Sequence, residues 1–409
     1  MHSGSFLYIL APMILQTFVP SQVHVSLSDV SGEIVFSWST PLPTQSSYVR
    51  VTQESIWVYF EGTSSVFIDH STKWYFHTVK ARLEPGSIYT YQVGCQSEGF
   101  SENFLLRTPP ETGKTKIIVF GDFSVKEFGK FTWDTVKSNY ESWNVNSLIL
   151  LGDLGYDLHS QFSVKGDEFM DEIQSVVSRI PLMVCAGNHE KLDNYYNYLN
   201  RFTMPGNQFY YSYTIGYARF VAIHTEALVY GNENLEVMLN FLKKVLKRTK
   251  NDIKKHPWLI VYGHRPAYCS SPLKGGACGR EAKILKKHLE DLFFLYNVDL
   301  YLSGHVHNYQ RTHPVFKDFI TTNWDDKING YINPKSTIYI TTGAAGSDHN
   351  NTQVSNNQKG ELLGSFNSKL SFGLLNVENK THLLWRQIES ESQNDIDSFW
   401  VIKKSKNSN

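Results

Sequence analysis

Apolar and polar positions alternate over short runs through the first quarter of the chain. Turn residues separate seven such runs between positions 22 and 109, which read VHVSLS, EIVFSWS, YVRVTQ, SVFIDH, WYFHTV, YTYQVG and NFLLRT. Alternation with a period of two is typical of half-buried strands, and no helical period of useful length interrupts it. The pattern predicts an all-β sandwich, with Tyr89 of LEPGSIYTYQV as the candidate for a tyrosine corner.

The pattern changes after the linker-like segment TPPETGK. Continuous apolar runs, KIIVF, SLILL, PLMVC, RFVAI, WLIVY and VDLYL, now alternate with longer amphipathic segments. Two of these segments place apolar residues on one helical face: Leu235, Met238, Leu239, Leu242, Val245 and Leu246 in the first, and Leu285, Leu289 and Leu292 in the second. Strand–helix alternation predicts an α/β domain over 114–403, in which ligands bind beyond the carboxyl ends of the strands.

Composition narrows the class of protein. The chain has 409 residues, for which two domains is the natural expectation, and 41% of them are apolar. Lys+Arg and Asp+Glu are both 39, so the formal net charge is zero. A nucleic-acid binder that relies on charge shows a basic excess, and we therefore expect no nucleic-acid partner.

The N terminus, MHSGSFLYILAPMILQTFVPSQ, contains an apolar run of about ten residues, which is too short to span a membrane. It predicts a signal peptide over 1–21, with an unprocessed N-terminal segment as the alternative. No later run is long enough for membrane insertion. In a secreted protein the sequons at Asn350 and Asn379 are candidate glycosylation sites.

The four cysteines do not form a disulfide scaffold. Cys269 and Cys278 bracket the loop CSSPLKGGAC and can bridge it in an oxidising compartment. Cys185 ends an apolar run, where we expect a buried free thiol.

Five apolar runs of the second domain end in glycine followed by Asp, Asn or His. These ends are Gly121-Asp122, Gly152-Asp153 with Tyr156 nearby, Gly187-Asn188-His189, Gly263-His264, and Gly304-His305-Val306-His307. Singly, each is explained by a turn, a helix cap or a core histidine. Together they indicate metal ligands, because oxygen donors mixed with imidazoles suit Fe, Zn, Mn or Mg. The number of donors exceeds what one ion needs and suits two ions that share a bridge.

The spaced motifs GD…GDxxY…GNH[ED]…VxxH…GHxH resemble the signature of the calcineurin-like metallophosphoesterases. Tyr156 in GDLGY narrows the resemblance to the purple acid phosphatases. The resemblance covers nearly the whole chain, including SQVHVSLSD, HRPAYCS and DSFW. It implies a four-layer α/β (α+β) metallophosphoesterase sandwich, preceded over 22–109 by the fibronectin-III-like domain of the long animal-type members.

The resemblance also implies a ligand set. It assigns iron(III) to Asp122, Asp153, Tyr156 and His307, and a divalent ion (Zn, Mn or Fe) to Asn188, His264 and His305, with Asp153 as the bridge. His189 is then the candidate catalytic residue, in contact with the leaving group. Two features depart from the family pattern. Ser124 of GDFS stands where a glycine is usual, and AYCSSPLKGGACGREA lacks the histidine pair of the plant members.

The implied activity is hydrolysis of small phosphate monoesters to alcohol and phosphate at acidic pH, by metal-bound hydroxide, in a secreted or lysosomal enzyme. One alternative is a phosphodiesterase or nucleotide pyrophosphatase with two divalent ions, which Tyr156 disfavours because a phenolate is most useful to a trivalent metal. Another is a non-catalytic secreted metal-binding protein, which the complete ligand set disfavours. The sequence contains no G-x-S-x-G elbow and no P-loop lysine motif, and it leaves the oligomeric state open.

Overall fold

A computed structural model describes residues 19–126, 128–231, 235–270, 276–347 and 360–404. Most of the predicted signal peptide and the sequon at Asn350 lie outside these ranges. No helix within them is long and apolar enough to cross a bilayer.

The N-terminal part is built of strands alone. They are β1 Ser21–Leu27, β2 Glu33–Thr40, β3 Tyr48–Thr52, β4 Val58–Glu61, β5 Thr63–Asp69, β6 Thr72–Arg82, β7 Ile88–Cys95, β8 Gly99–Phe100 and β9 Phe104–Arg107. One sheet has the order β1-β2-β6-β5, and the other has the order β4-β3-β7-β8, with β9 on β7. The predicted all-β sandwich is confirmed, and β4 and β8 are strands that the sequence pattern did not indicate.

Tyr89 occupies the expected corner position. Its hydroxyl accepts a hydrogen bond at 3.1 Å from the backbone N–H of Glu84, five residues upstream. The ring is buried among the apolar side chains that the two sheets enclose. The turn between β6 and β7 is therefore fastened to the core of the sandwich.

The second part alternates strands and helices. Its strands are β10 Thr115–Phe120, β11 Ser147–Leu150, β12 Leu182–Val184, β13 Tyr211–Ile215, β14 Ala218–Ala222, β15 Trp258–Tyr262, β16 Leu300–Ser303, β17 Tyr309–Thr312, β18 Val315–Phe316, β19 Phe319–Ile320, β20 Gly330–Ile332, β21 Ile338–Thr342, β22 Leu363–Asn367, β23 Ser371–Val377, β24 His382–Glu389 and β25 Asp395–Ile402. Its helices are α1 Phe128–Asn139, α2 Val164–Val177, α3 Leu192–Arg201, α4 Thr225–Tyr230, α5 Leu235–Asp252 and α6 Ala282–Tyr296. A 3₁₀ segment, His189–Lys191, and a π-helical segment, Gly276–Glu281, precede α3 and α6.

Fourteen of these strands form two seven-stranded sheets, and β18 and β19 pair only with each other. The orders of the two large sheets are β12-β11-β10-β23-β24-β25-β20 and β13-β14-β15-β16-β21-β17-β22. Strands β10 to β12 are parallel in the first sheet, and β14, β15, β16 and β21 are parallel in the second. The predicted strands all lie in these parallel blocks, whereas the antiparallel strands β23 to β25 were not predicted.

Side-chain alternation on β14 and β15 separates two layers of core. Phe220 and Ile260 belong to the core that the two sheets share. Val221 and Val261 point the other way, into a second core formed with the apolar faces of α5 and α6. With α1 and α2 on the outer face of the first sheet, the result is the four-layer α/β sandwich expected from the resemblance.

The two parts meet along β1 and α2. The backbone N–H of Val23 donates to Gln174 Oε1 at 2.7 Å, and Trp74 Nε1 donates to Asp167 Oδ2 at 2.9 Å. Arg201, buried beneath this contact, binds the other oxygen of Asp167 at 2.8 Å. The boundaries 22–109 and 114–403 remain our proposal for the domains.

The cysteines follow the expectations. Cys269 and Cys278 form a disulfide with a Cα–Cα distance of 5.1 Å. Cys185 is a buried free thiol at the end of β12.

Candidate metal centre

The carboxyl ends of strands from both sheets meet at one edge of the sandwich. Asp122 follows β10, Asp153 follows β11, and Asn188 follows β12, while His264 follows β15 and the two histidines of GHVH follow β16. Parallel strands bring their carboxyl ends to the same side, so residues far apart in the sequence become neighbours here.

Glycines allow the close approach of these loops. A Cβ on Gly304 would lie 2.4 Å from Asp122 Oδ2, and a Cβ on Gly187 would lie 2.2 Å from Asp153 Oδ1. Four residues of the centre have backbone with positive φ: Asp122 at 59°, Asp153 at 53°, Tyr156 at 42° and His305 at 67°. Such φ values are uncommon outside glycine and are found at functional sites, where the surrounding structure holds them.

One group of polar atoms forms around Tyr156. Its hydroxyl lies 3.2 Å from Asp122 Oδ1 and 3.0 Å from His307 Nε2, and His307 Nε2 lies 3.3 Å from the same carboxylate oxygen. The far side of the His307 ring contacts Ser347 Oγ through Nδ1 at 3.1 Å. Three of the predicted iron ligands thus converge, with the histidine ring held in place from behind.

A second group forms around His264 Nε2. This atom lies 3.2 Å from Asp153 Oδ2, 3.1 Å from Asn188 Oδ1 and 3.1 Å from His305 Nδ1. The other ring nitrogen donates to the carbonyl oxygen of Leu151 at 2.8 Å. In the neutral ring Nε2 therefore carries a lone pair that faces two acceptor oxygens and His305 Nδ1, a ring nitrogen that accepts in one tautomer and donates in the other.

The two groups adjoin one another. The backbone N–H of His305 donates to Asp122 Oδ2 at 2.6 Å, which links the second group to the first. Ligand atoms of Asp153, His264 and His305 all lie within 4.8 Å of one another. The structure therefore brings all seven predicted metal ligands together, and it places His305 and His307 in different groups.

His189 lies at the rim of the centre. Its ring centroid is 4.6 Å from that of Tyr156, and its backbone N–H donates to Asp153 Oδ1 at 3.0 Å. The side chain is one-third exposed, and its Nδ1 is hydrogen-bonded to Asp157 Oδ1. Asp157 is a neighbour that the sequence analysis did not single out, although it follows Tyr156 directly.

Comparisons with known proteins match this architecture segment by segment. The family "Calcineurin-like phosphoesterase" matches residues 115–309, "Purple acid Phosphatase, N-terminal domain" matches 20–108, and "Iron/zinc purple acid phosphatase-like protein C" matches 336–398. Human acid phosphatase type 7 is 30% identical over 407 residues, which cover 94% of this chain and 91% of the human protein.

The chain belongs to the purple acid phosphatase family. Purple acid phosphatase 18 of Arabidopsis thaliana is 28% identical and covers 94% of the chain. The structure of purple acid phosphatase PPD1 from yellow lupin seeds superposes with a TM-score of 0.83 over 95% of this chain and 75% of the lupin chain, at 21% identity. The predicted family, its fold and its enzyme class, acid phosphatase, are thus confirmed.

The electrostatic environment of the centre favours cations. Burial works against a charged His264, yet the carboxylate of Asp153 raises the pKa of its imidazole to about 10. Burial and the carboxylates of Asp122 and Asp153 raise the pKa of the Tyr156 hydroxyl well above its ordinary value. The contributions of the Asp122 and Asp153 carboxylates to these pKa shifts show that the electrostatic potential in this buried place is negative. Such a potential favours the binding of a metal cation.

Glu190 is a residue whose role the sequence analysis missed. Its buried carboxylate accepts backbone N–H bonds from Asp153 at 2.9 Å, Leu154 at 2.8 Å and Gly187 at 2.8 Å. One side chain therefore fastens the loop after β11 to the loop after β12. Its place in GNHE was the only signal, since backbone contacts of this kind leave no pattern in the sequence.

Arg265 was also missed. It forms a bidentate pair with the buried carboxylate of Glu226 at 2.7 and 2.8 Å, and its Nη2 donates to Asn188 Oδ1 at 3.3 Å. A bidentate contact fixes the guanidinium plane more strictly than a single hydrogen bond does. Arg265 thereby supports the amide of a predicted metal ligand from the protein side.

Proposed function

We propose that this chain hydrolyses phosphate monoesters at acidic pH with two metal ions bound at this centre. The observation that carries the proposal is the environment of His264 Nε2, which faces Asp153 Oδ2, Asn188 Oδ1 and His305 Nδ1 within 3.2 Å. A proton on that nitrogen satisfies one acceptor at most, because a ring N–H points in one direction. A metal ion among the four atoms satisfies all of them.

The proposed assignment follows the two groups of atoms. Iron(III) would be held by Asp122, Asp153, Tyr156 and His307, and the divalent ion (Zn, Mn or Fe) would be held by Asn188, His264 and His305, with Asp153 shared. The contacts between the groups support a shared ligand. Tyr156 supports iron in the first position, because a trivalent ion offsets the cost of forming a buried phenolate.

When bound, the two ions supply positive charge that neutralises the phosphate dianion and activates the attacking water. The chain's own residues then decide how the leaving oxygen obtains its proton. His189 presents Nε2 at the open side of the centre, while Nδ1 bonds to Asp157. Burial disfavours its charged form, but the hydrogen bond to Asp157 raises the pKa of His189, which favours a ring that carries a proton at acidic pH and can donate it.

We also propose that the protein is secreted or lysosomal. The Cys269–Cys278 disulfide supports an oxidising environment, as expected of a secreted or lysosomal enzyme. Asn379, the sequon asparagine within the described residues, is exposed in the turn between β23 and β24, where a glycan has room.

The direct test is hydrolysis of an aryl phosphate monoester and of the matching diester by the purified protein, measured from pH 4 to 8. We expect turnover of the monoester with an optimum in the acid range, and its loss in Asp122→Asn and His305→Ala. Glu168→Gln serves as the control, since Glu168 is an exposed residue paired with Lys126. Preference for the diester, or full activity in either ligand variant, overturns the proposal.

A further inference from the structure

Glu281 reaches the metal centre from a part of the chain that carries no predicted ligand. It is the last residue of the π-helical segment Gly276–Glu281, immediately before α6. Its side chain is 17% exposed, and Oε2 lies 3.3 Å from His305 Nε2. The same oxygen accepts a hydrogen bond from Arg265 Nη1.

The contact is made at the edge of the His305 ring that points away from the metal centre. Nδ1 of this ring faces His264 Nε2 at 3.1 Å, so Nδ1 is the atom available to a metal ion. A neutral histidine that binds through Nδ1 carries its proton on Nε2. Glu281 is the carboxylate placed to accept that proton's hydrogen bond.

Arg265 and Glu281 favour opposite tautomers of His305. Its Nη1 lies 2.8 Å from His305 Nε2, and a guanidinium can only donate. With Arg265 as its sole partner, Nε2 would keep the lone pair and Nδ1 would carry the proton, directed at the metal position. In the metal-binding tautomer Arg265 Nη1 donates to Glu281 Oε2 and not to the protonated Nε2. The same carboxylate oxygen, 3.3 Å from Nε2, accepts the ring N–H and so favours this tautomer.

The disulfide holds the segment that delivers Glu281. Cys278 lies in the π-helical segment, and its bond to Cys269 ties that segment to the chain following His264 and Arg265. On the other side, Ala282 of α6 is buried, and Leu285 belongs to the second core. The carboxylate is thus anchored from both directions.

We infer that Glu281 is a positioning residue that holds His305 in the metal-binding tautomer, and that the Cys269–Cys278 bond keeps it in place. This inference rests on the proposed function, since it assumes that His305 binds the divalent ion. Carboxylate partners of this kind change metal affinity about 10- to 100-fold when they are removed. The effect should therefore appear in metal retention before it appears in the chemical step.

The experiment measures divalent metal per chain in the full-length protein after equilibrium dialysis against graded chelator, with zinc as the probe. We expect Glu281→Ala to lose zinc at about 10- to 100-fold lower chelator than the wild type. Glu281→Gln, which keeps the shape and one acceptor oxygen, should lose less. Cys269→Ser/Cys278→Ser should weaken retention in the same direction with Glu281 intact. Asp291→Ala is the control, because Asp291 is exposed on the same helix and pairs with Lys317.

Activity gives a second readout. With saturating zinc, kcat of Glu281→Ala should recover towards the wild-type value, because the residue does not touch the substrate. If Glu281→Ala retains zinc within twofold of the wild type, the role given to Glu281 is overturned. The same result in the double serine variant overturns the role given to the disulfide. If the wild type retains none of zinc, manganese and iron(II) when each is dialysed in turn, the proposed function fails along with the inference. A wild type that binds its ion tightly, with unaffected variants, overturns the inference alone.

Discussion

The Glu190 carboxylate offers the most direct perturbation of the centre that leaves every predicted metal ligand in place. The side chain is buried and accepts three backbone N–H bonds, two on Oε2 from Asp153 and Gly187 and one on Oε1 from Leu154. Glu190→Gln keeps the volume and removes one acceptor. The amide keeps two bonds by directing its oxygen to Asp153 and Gly187, and its NH₂ group then faces the N–H of Leu154.

The magnitude follows from that mismatch. A buried donor left unsatisfied costs about 1–3 kcal/mol, and bonds to a charged acceptor lie at the upper end of the range for hydrogen bonds. A loss of about 2 kcal/mol confined to the two loops corresponds to about 30-fold easier local opening. The loops carry Asp153 and Asn188, so metal retention should weaken with them.

Hydrogen exchange followed by mass spectrometry on peptides that span 151–158 and 184–191 measures this opening. We expect about 30-fold faster exchange in both peptides of Glu190→Gln and unchanged exchange in β24 and β25. Glu168→Gln, which breaks only an exposed pair with Lys126, should change the free energy of local opening by less than about 1 kcal/mol. Exchange in Glu190→Gln within threefold of the wild type would refute the claim that this carboxylate joins the loops.

Two further perturbations test other parts of the account. Gly304→Ala places a Cβ 2.4 Å from Asp122 Oδ2, which forces the two loops apart. We therefore expect kcat/KM to fall about 100-fold. A value of kcat/KM within threefold of wild type would contradict this. In the sandwich, burial lowers the pKa of His24 and of His77 from 6.5 to about 4. The unfolded chain binds more protons between these values, so the free energy of unfolding should fall as pH drops from 6.5 towards 4, by about 2 kcal/mol per histidine at pH 5. Thermal unfolding of His77→Gln across this range should show a shallower pH slope, and an unchanged slope would exclude His77 as a contributor.

The local sequence pattern was enough to predict the strands and helices whose apolar residues recur with a simple period. Phe220 and Val221 sit on opposite faces of β14 as alternation requires, and α5 and α6 bury the predicted apolar faces. The strand ends could also be predicted as a site, because five apolar runs of one domain all end in glycine followed by Asp, Asn or His, which turns alone do not explain. These rules led from the sequence to the parallel strands of both sheets and to the strand ends at the site, and the family resemblance supplied the assignment of the seven candidate ligands.

What the sequence did not predict depends on contacts between distant segments. Glu281 and Arg265 contact His305 from different loops, and the sequence pattern indicated neither contact, although Arg265 directly follows the predicted ligand His264. Glu190 serves backbone groups, which every residue carries. The strands β23 to β25 join the first sheet through the antiparallel pairing of β23 with β10, a partner more than 250 positions earlier in the chain. Such pairing is decided by tertiary packing and not by propensity.

The central claim is that Tyr156 binds iron(III) beside a divalent ion, and the visible absorption spectrum tests it most directly. The purified protein, reconstituted with iron under oxidising conditions, should show a broad visible band that shifts on reduction. Tyr156→Phe should lose the band while the iron content measured on the same sample shows whether the site is still filled. A wild-type protein that holds iron at the centre and remains colourless would contradict the account.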